Sequence, residues 1–392
     1  MKKQYYFDHA ATTPVLDKVI EAMLPYFSEE FANPSGSYTF AEDIQEAVNC
    51  ARHHTASFIN AMDSEIYFTS GGTESDNWAL RGVMLANEDK GRHLITSSIE
   101  HHAILNTCHF LEEHGYQVTY LPVDRNGIVS PYELKKAIRN DTVMVSVMFA
   151  NNEIGTVQPI KELARIAHSR GAIFHTDAVQ AFGHLPINVN EFSIDLLSAS
   201  SHKFYGPKGT GILYKRDKVK IDPLMYGGSQ EKNLRAGTYH VTGIVGLGAA
   251  VKCCSEGLLR RINREISLRN HMIYRFNKEI PYIKINGDMH RRLPNNINVS
   301  FRCVEAESLL ILLDSFGISV STGSACNAHS DEPSHVLNAI GLSDEEARSA
   351  VRFTIGEDTT LADVDFVVDR VKESVFRLRM YSPEYQKYRE KY

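Results

Sequence analysis

A lysine and an aspartate each stand where an apolar segment ends. Lys203 follows the run in "DLLSASSHKFYGPKG", and Asp177 ends the run in "GAIFHTDAVQ". A lysine at the inner end of a strand is costly unless it is paired or functional, and its neutral amine can form a Schiff base. The pair suggests pyridoxal 5'-phosphate (PLP) as a cofactor, with Lys203 on its aldehyde carbon and Asp177 keeping its ring nitrogen protonated. Taken alone, Asp177 also fits a helix cap.

Further polar residues at strand ends could complete such a site. In "FTSGGTESDNWAL", the paired glycines allow close backbone approach before a helix whose N-terminus can hold a phosphate; a ligand-free glycine turn remains open. His101 in "SSIEHHAIL" could stack on a ring or move a proton, or it could be structural. In "MFANNEIGTVQP", the side-chain amide of Asn151 or Asn152 could bond the hydroxyl beside the aldehyde, as could Gln180, or the asparagines could form a turn.

Cys326 lies in "VSTGSACNAHSDEPSHV", which has neither helical nor strand periodicity. Three interpretations are open: a small loop residue, a metal ligand or a nucleophile on a mobile arm. A zinc site with His329 and His335 has suitable ligand types but no second cluster of known spacing. The other five cysteines lack zinc-like spacing and fit small buried side chains.

Helices and strands must position these residues. Sequence patterns typical of strands and helices alternate from about residue 40 to 220. Apolar runs ending in polar residues recur in "SEIYFTSGG", "RHLITSSIEH", "TVMVSVMFANNEIG", "GAIFHTDAVQ" and "IDLLSASSHK". Helical patterns such as "IKELARIAHSR" separate them. This alternation predicts an α/β fold with a mostly parallel sheet flanked by helices. In such a fold, ligands bind beyond the carboxyl ends of the strands. One or two long helices over 241–279 lead to an α+β lobe that holds the opening segment.

Composition bounds the class of protein. The chain has 392 residues, 43% hydrophobic and 23% charged, which suits two domains or a large domain with a smaller lobe. A net charge of −6 argues against a nucleic-acid partner. No apolar run reaches the length of a membrane span, and no apolar signal core follows the first two lysines. We therefore expect a cytoplasmic protein without a membrane or nucleic-acid partner.

Many separated motifs resemble one family, the NifS/IscS-like cysteine desulfurases, which are class-V, fold-type-I PLP enzymes. They include "DHAATTPV", "FANPS", "GGTESDN", "EHHAIL", "NNEIGTVQ", "HTDAVQ", "SSHKFYGPKG", "RAGT", "STGSAC", "EPSHVL" and "VRFTIG". The resemblance covers almost the whole chain. It implies a large PLP-binding domain over 15–255 with a seven-stranded type of sheet. A small α+β domain over 1–14 and 256–392 would carry the catalytic-cysteine loop at about 320–335.

The resemblance also implies a role for each site residue. The catalytic residues would be Cys326 as the nucleophile that becomes a persulfide, Lys203 as the Schiff-base lysine and His101, stacked on the cofactor ring, as a proton carrier. The cofactor-binding residues would be Gly72, Thr73, Asn152, Asp177, Gln180, Ser200, His202 and Thr238, the last reaching the phosphate of the other subunit in a homodimer. Arg352 and Asn33 would bind the substrate carboxylate.

The implied activity is removal of sulfur from L-cysteine, giving L-alanine and a persulfide on Cys326. Sulfur would pass to an acceptor such as an iron–sulfur scaffold protein, a tRNA-thiolation enzyme or another sulfur carrier. No resident metal is expected, although Cys326 could transiently ligate a cluster held by a scaffold. Another PLP enzyme, such as an aminotransferase or selenocysteine lyase, would not need Cys326. A non-catalytic scaffold could have lost Lys203, Asp177 or Arg352, yet all three are present.

The chain departs from the family pattern at positions that remove no catalytic group. His9 and Ala10 replace the pair found after the aspartate in many members, and Tyr38 stands where a histidine is frequent. Asn327, His329 and Asp331 distinguish the segment after Cys326. These last three residues bear on which acceptor receives the sulfur.

Overall fold

A computed structural model describes residues 3–322 and 333–391. The strands are β1 Tyr5–Tyr6, β2 Ile66–Thr69, β3 His93–Ser97, β4 Gln117–Leu121, β5 Thr142–Ser146, β6 Ile173–Asp177, β7 Leu196–Ser200, β8 Gly211–Lys215, β9 Ile283–Asn286, β10 Asn296–Phe301, β11 Ile318–Ser319, β12 Ser321–Thr322 and β13 Ala350–Thr354. The helices are α1 Asp17–Met23, α2 Pro25–Ser28, α3 Thr39–Phe58, α4 Gly72–Ala86, α5 His102–Glu113, α6 Pro131–Ala137, α7 Ile160–Ser169, α8 Val241–Ser255, α9 Leu258–Glu279, α10 Ala306–Ser315, α11 His335–Ala339, α12 Asp344–Arg348, α13 Leu361–Met380 and α14 Pro383–Lys391.

Seven of the described strands form a sheet in the order β2-β8-β7-β6-β5-β3-β4. From β7 to β4 neighbouring strands are parallel, whereas β8 is antiparallel to both β7 and β2. Every residue of β3, β5, β7 and β8 is buried. Both faces of the sheet are thus covered at these strands, as expected within a mostly parallel sheet. The mostly parallel sheet predicted from the sequence is therefore present.

Helices cover the sheet through apolar faces and close backbone contacts. In α7 the buried residues Ile160, Leu163, Ala164 and Ala167 have the spacing of a single helix face. Between α3 and α8 the helices come so near that a side chain on Gly248 would meet the Cβ of Ala51 at 2.6 Å. Small residues at this crossing therefore let α8 lie directly against α3.

A second hydrophobic cluster lies around a four-stranded sheet of order β12-β13-β10-β9. It joins Phe7 near the start of the chain to residues between Leu268 and Val375. The opening segment enters this part of the molecule because β1 pairs in parallel with β11, and Asp8 bridges to Thr354. These contacts agree with an α+β lobe that holds the opening segment, while the exact domain bounds stay a prediction.

The region 241–279 forms two helices rather than one, with axes 73° apart. Within the part of the chain that the structure describes, no single helix is long and apolar enough to cross a membrane, and only this bent pair together reaches the required length and composition.

Candidate active site

A cavity of about 640 Å³ opens at the carboxyl ends of the parallel strands. Parallel strands end at the same edge of a sheet, so the residues after β3, β5, β6 and β7 converge there. The predicted residues that line the cavity are Gly72, Thr73, His101, Asn152, Asp177, Gln180, Ser200, His202, Lys203 and Arg352. Residues separated by up to 280 positions in sequence thus share one cavity.

Lys203 is held by a segment that the sequence analysis did not connect with it. Its Nζ donates hydrogen bonds to the carbonyl oxygens of Ala10 and Ala11, both at 2.7 Å. The amide of Gln180 also donates to the Ala10 carbonyl, at 3.0 Å. The opening segment therefore forms one wall of the cavity, and its backbone carbonyls orient the lysine amine.

Asp177 ends β6 and is only 5% exposed. Its Oδ1 accepts a hydrogen bond from the backbone N–H of Val179 at 2.8 Å, and no hydrogen bond from the described residues reaches Oδ2. Burial raises the pKa of Asp177 above its ordinary value, while the Val179 bond and the charge of Lys203 oppose that shift. A cationic group bound in the cavity would therefore stabilise this carboxylate strongly.

Further buried carboxyl groups line the cavity, among them those of Asp76 and Glu100, which the sequence analysis missed. Burial raises the pKa of Asp76 well above its ordinary value, and the nearby charge of Asp177 raises it further. Burial likewise raises the pKa of Glu100 to about 8, although its carboxyl accepts from Ser97 Oγ and from the Met148 N–H. The motifs "ESDN" and "IEHH" contain these residues, but nothing in their spacing signals burial beside Asp177.

The turn before α4 forms a cradle against β7. Gly71 has φ 153°, which residues with a side chain rarely adopt. A Cβ on Gly72 would meet Val179 Cγ2 at 2.5 Å, so only glycine fits there. The first N–H groups of the fifteen-residue helix α4 have no partner within the helix and favour an anion. Thr73, Ser200 and His202 line the cavity beside them.

His202 contributes to this cradle as a neutral side chain. Burial and the charges of Lys203 and Lys208 lower its pKa to about 4. Its Nδ1 lies 3.1 Å from Thr12 Oγ1, which again ties the opening segment to the strand ends.

His101 caps the helix that follows β3. Its Nδ1 accepts a hydrogen bond from the N–H of Ala103 at 3.1 Å. Burial, together with the positive charge of Lys203, lowers the pKa of His101 to about 4. The ring is therefore neutral near pH 7.

Arg352 lies on β13 of the second sheet and is 2% exposed, yet it lines the cavity. Its guanidinium donates to Asp8 Oδ1 at 2.7 Å and to the carbonyl of Asn152 at 3.2 Å. A fixed guanidinium suits recognition of a carboxylate. Arg352 thus brings a cationic donor from the second sheet to the strand ends of the first.

Within the described residues, two predicted site residues do not line the cavity. Asn33 is exposed, and its Oδ1 accepts from the N–H of Ser35 at 3.0 Å. Thr238 lines a neighbouring cavity of about 150 Å³, next to Arg235. Arg235 pairs with Glu74 at 2.8 Å, which ties this segment to the start of α4. Thr238 was predicted to act in the other subunit, so its position within one chain leaves that prediction open.

Cys326 lies outside the described residues, as do Asn327, His329 and Asp331. Among the described cysteines, Cys50 is exposed, Cys253 is partly buried and Cys108, Cys254 and Cys303 are buried. The described residues contain no group of three or more His, Cys, Asp or Glu side chains arranged to hold a metal ion.

The chain belongs to the aminotransferase class-V family, whose model matches residues 5–367. It is 54% identical to the cysteine desulfurase IscS of Methanosarcina thermophila, over 97% of this chain and 94% of that protein. It is 51% identical to the cysteine desulfurase IscS of Dictyoglomus turgidum, over 99% of both chains.

Solved structures are also similar to this chain. A NifS-like protein superposes with a TM-score of 0.90 at 36% identity, over 96% of this chain and all of that chain. SspA in complex with cysteine has a TM-score of 0.79 at 41% identity, over 90% of this chain and 99% of that one. The predicted fold class is confirmed.

Proposed function

We propose that this protein is a PLP-dependent cysteine desulfurase, which converts L-cysteine to L-alanine and keeps the sulfur as a persulfide on Cys326. The relatives named cysteine desulfurase support the activity. The observation that carries the proposal is a single cavity containing Lys203, Asp177 and Arg352. Those three side chains supply the covalent, ring-nitrogen and carboxylate contacts that a PLP enzyme acting on an amino acid needs.

The residues present fit PLP on three observations. The amine of Lys203 is held at the cavity wall by two carbonyls. The buried carboxyl of Asp177 lacks a cationic partner for Oδ2 among the described hydrogen bonds, which suits a protonated ring nitrogen. The turn before α4 leaves no space for a Cβ at Gly72, and the N–H groups at the start of α4 remain for a phosphate. Ser200, His202 and Thr73 would support that phosphate, and Asn152 and Gln180 the phenolic oxygen.

When bound, PLP would supply a ring that withdraws electrons from the substrate carbon. Asp177 would keep the ring nitrogen protonated because its buried carboxylate gains most from a positive partner. Arg352 would hold the substrate carboxylate, with Asn33 remaining a proposed helper. The Nζ of Lys203 would move the proton of the substrate α-carbon. These groups act from fixed positions, which places the substrate for reaction.

The sulfur transfer itself would use Cys326. Its thiolate attacks the substrate sulfur, an S–S bond forms, and the Cβ–S bond breaks with its electron pair left on carbon. Carbon then takes up a proton and alanine leaves. An unassisted thiol is only a few per cent ionised near neutral pH, so the reaction needs a proton acceptor near the cavity.

The remaining parts of the proposal concern the assembly. The protein would act as a homodimer, in which Thr238 reaches the phosphate of the other subunit. It would pass the sulfur to an iron–sulfur scaffold, a tRNA-thiolation enzyme or another carrier, with Asn327, His329 and Asp331 influencing the choice. We place it in the cytoplasm, where thiols stay reduced.

The test is to supply L-cysteine and a reductant to the PLP-loaded protein and to measure alanine and sulfide. Cys326→Ser should retain bound PLP but lose sulfide release and the added sulfur atom seen by mass spectrometry. Cys50→Ser, which removes an exposed cysteine elsewhere, is the matched control and should retain both. Sulfide release by Cys326→Ser at the wild-type rate would overturn the nucleophile assignment, and transamination of a keto acid without sulfide would favour an aminotransferase.

A further inference from the structure

The hydrogen bonds of two histidines at the cavity define which ring nitrogen carries the proton. His101 Nδ1 accepts from the N–H of Ala103, so this nitrogen has no proton and the neutral ring carries it on Nε2. His335 Nε2 lies 3.0 Å from the carbonyl oxygen of Glu100, which can only accept. Nε2 of His335 must therefore donate, which leaves Nδ1 of the neutral ring with a lone pair.

The two rings consequently differ in what they can do. Neutral His101 presents an N–H to the cavity and would have to lose its cap to accept a proton at Nδ1. His335 can accept a proton at Nδ1 while its other nitrogen remains bonded to Glu100. No hydrogen bond from the described residues reaches His335 Nδ1. His335 is the first residue of α11, and its ring lines the same cavity as Lys203.

The surroundings favour a neutral His335 that can gain a proton. Burial lowers its pKa, and the Glu100 carbonyl opposes that shift. The titratable and charged groups that share this part of the cavity come from α5 and the residues just before it, the segment after β5, β13 and the turn after β7. They are Glu100, His101, His102 with its ring centre 5.0 Å from that of His335, Glu153, Arg352 and Lys203. Burial raises the pKa of Glu153, whose carboxyl accepts from Ser334 Oγ beside His335, while that bond and the charges of Arg352 and His102 oppose the shift.

We propose that His335, rather than His101, accepts the proton of the thiol that reacts in this cavity. The proposal rests on the proposed desulfurase function and names a catalytic base for it. The S–H bond breaks, its electron pair stays on sulfur, and the proton moves to Nδ1, so that the ring becomes an imidazolium. The bond from Nε2 to the Glu100 carbonyl persists and stabilises that cation. The thiolate then forms the S–S bond as the Cβ–S bond breaks, so no external oxidant or reductant is needed.

The first experiment measures kcat/KM for cysteine against pH in His335→Gln. The glutamine amide can still donate to the Glu100 carbonyl, so the local fold is retained. Without the base, the rate follows the ionised fraction of a free thiol of pKa near 8.5, about 3 per cent at pH 7, giving a loss of about thirtyfold. That loss should shrink to nothing above about pH 9.5. His109→Gln, which removes an exposed histidine elsewhere on α5, is the control and should keep the wild-type profile.

Combining His335→Gln with Cys326→Ser shows whether the substrate thiol or the Cys326 thiol donates the proton. If His335→Gln changes the pH dependence of cysteine binding in Cys326→Ser, the substrate thiol is the proton donor. If only turnover of the Cys326-containing enzyme changes, the donor is the enzyme thiol. Either result supports the proposal.

Nitrogen NMR of the holoenzyme, with His101→Asn and His335→Gln used for assignment, reads the protonated nitrogen directly. We expect neutral His335 to carry its proton on Nε2, and neutral His101 likewise. A His335→Gln profile that matches the wild type, or a proton on Nδ1 of neutral His335, would overturn the inference. If the wild-type enzyme makes no sulfide from cysteine, the proposed function itself fails, which is a separate result.

Discussion

The amine of Lys203 lies 2.7 Å from the carbonyl oxygen of Ala10, a residue 193 positions earlier in the chain. This bond joins the opening segment, which pairs through β1 with β11, to the strand ends of the large sheet. The cavity is therefore lined from both sides of the boundary between two hydrophobic clusters, and the orientation of Lys203 depends on both. The carbonyls of Ala10 and Ala11 both accept from this amine.

Lys203→Arg separates the covalent role of the lysine from its structural role. A guanidinium can still donate to the carbonyls of Ala10 and Ala11, but it does not form a Schiff base. We expect a melting temperature close to wild type, complete loss of alanine formation and weaker retention of PLP on gel filtration. Retained turnover would contradict the assignment of Lys203, whereas unfolding would show that the two carbonyl contacts need the smaller amine.

Asp177→Asn should change the free energy of unfolding, and the burial of the Asp177 carboxyl decides the direction of that change. The folded-state pKa is raised, so between its unfolded and folded pKa values the folded protein binds more protons. This carboxyl therefore lowers the free energy of unfolding increasingly as pH rises through that window. Without cofactor, the variant should melt higher than wild type at pH 7, and the difference should vanish below about pH 4.

Loading with PLP should make the wild type melt higher than Asp177→Asn, because the carboxylate stabilises the protonated ring nitrogen. Loss of a charged hydrogen bond of about 1.5–3 kcal/mol predicts an activity about ten- to hundredfold lower. Asp141→Asn is the control: Asp141 is exposed, and its hydrogen bond with Arg139 lowers its pKa, so removing its charge should not raise stability. Equal melting curves for Asp177→Asn and wild type at every pH would contradict the burial argument.

Two variants separate the role of His101 as a helix cap from its role in the reaction. His101→Asn keeps an oxygen that accepts from the N–H of Ala103, since asparagine is a favourable N-cap, whereas His101→Ala loses the cap at a cost of about 1 kcal/mol. Both variants should lose activity, but only the alanine variant should melt lower. Thermal melts and assays of alanine formation check this. A fully active His101→Asn variant would show that His101 acts only as a helix cap.

Arg352→Lys should mainly weaken binding of the substrate. The lysine keeps the positive charge but lacks the planar fork that can hold Asp8 and a substrate carboxylate together. We expect KM for cysteine to rise about tenfold or more, with a smaller change in kcat, as for loss of a charged hydrogen bond. Asp8→Asn tests the ion pair separately and should lower stability with a smaller effect on KM. An unchanged KM in Arg352→Lys would remove Arg352 from substrate binding.

Local sequence determined the elements of this protein and the chemistry available at their ends. Buried strands read as apolar runs because both faces of a parallel sheet are covered, and polar residues follow where each strand leaves the core. These patterns alone place Asp177, Lys203 and His101 at one sheet edge, and many ordered motifs indicate the family. Such signals depend on neighbours in sequence, which periodicity can detect.

Only the tertiary structure decided the contacts between distant segments. The contacts of the Ala10 and Ala11 carbonyls with Lys203 have no sequence pattern, because every residue has a backbone carbonyl. The burial of Asp76 and Glu100 beside Asp177 has none either, because it depends on which other segments pack against them. The same holds for the protonated nitrogens of His101 and His335, which are set by single hydrogen bonds to backbone groups brought near by folding.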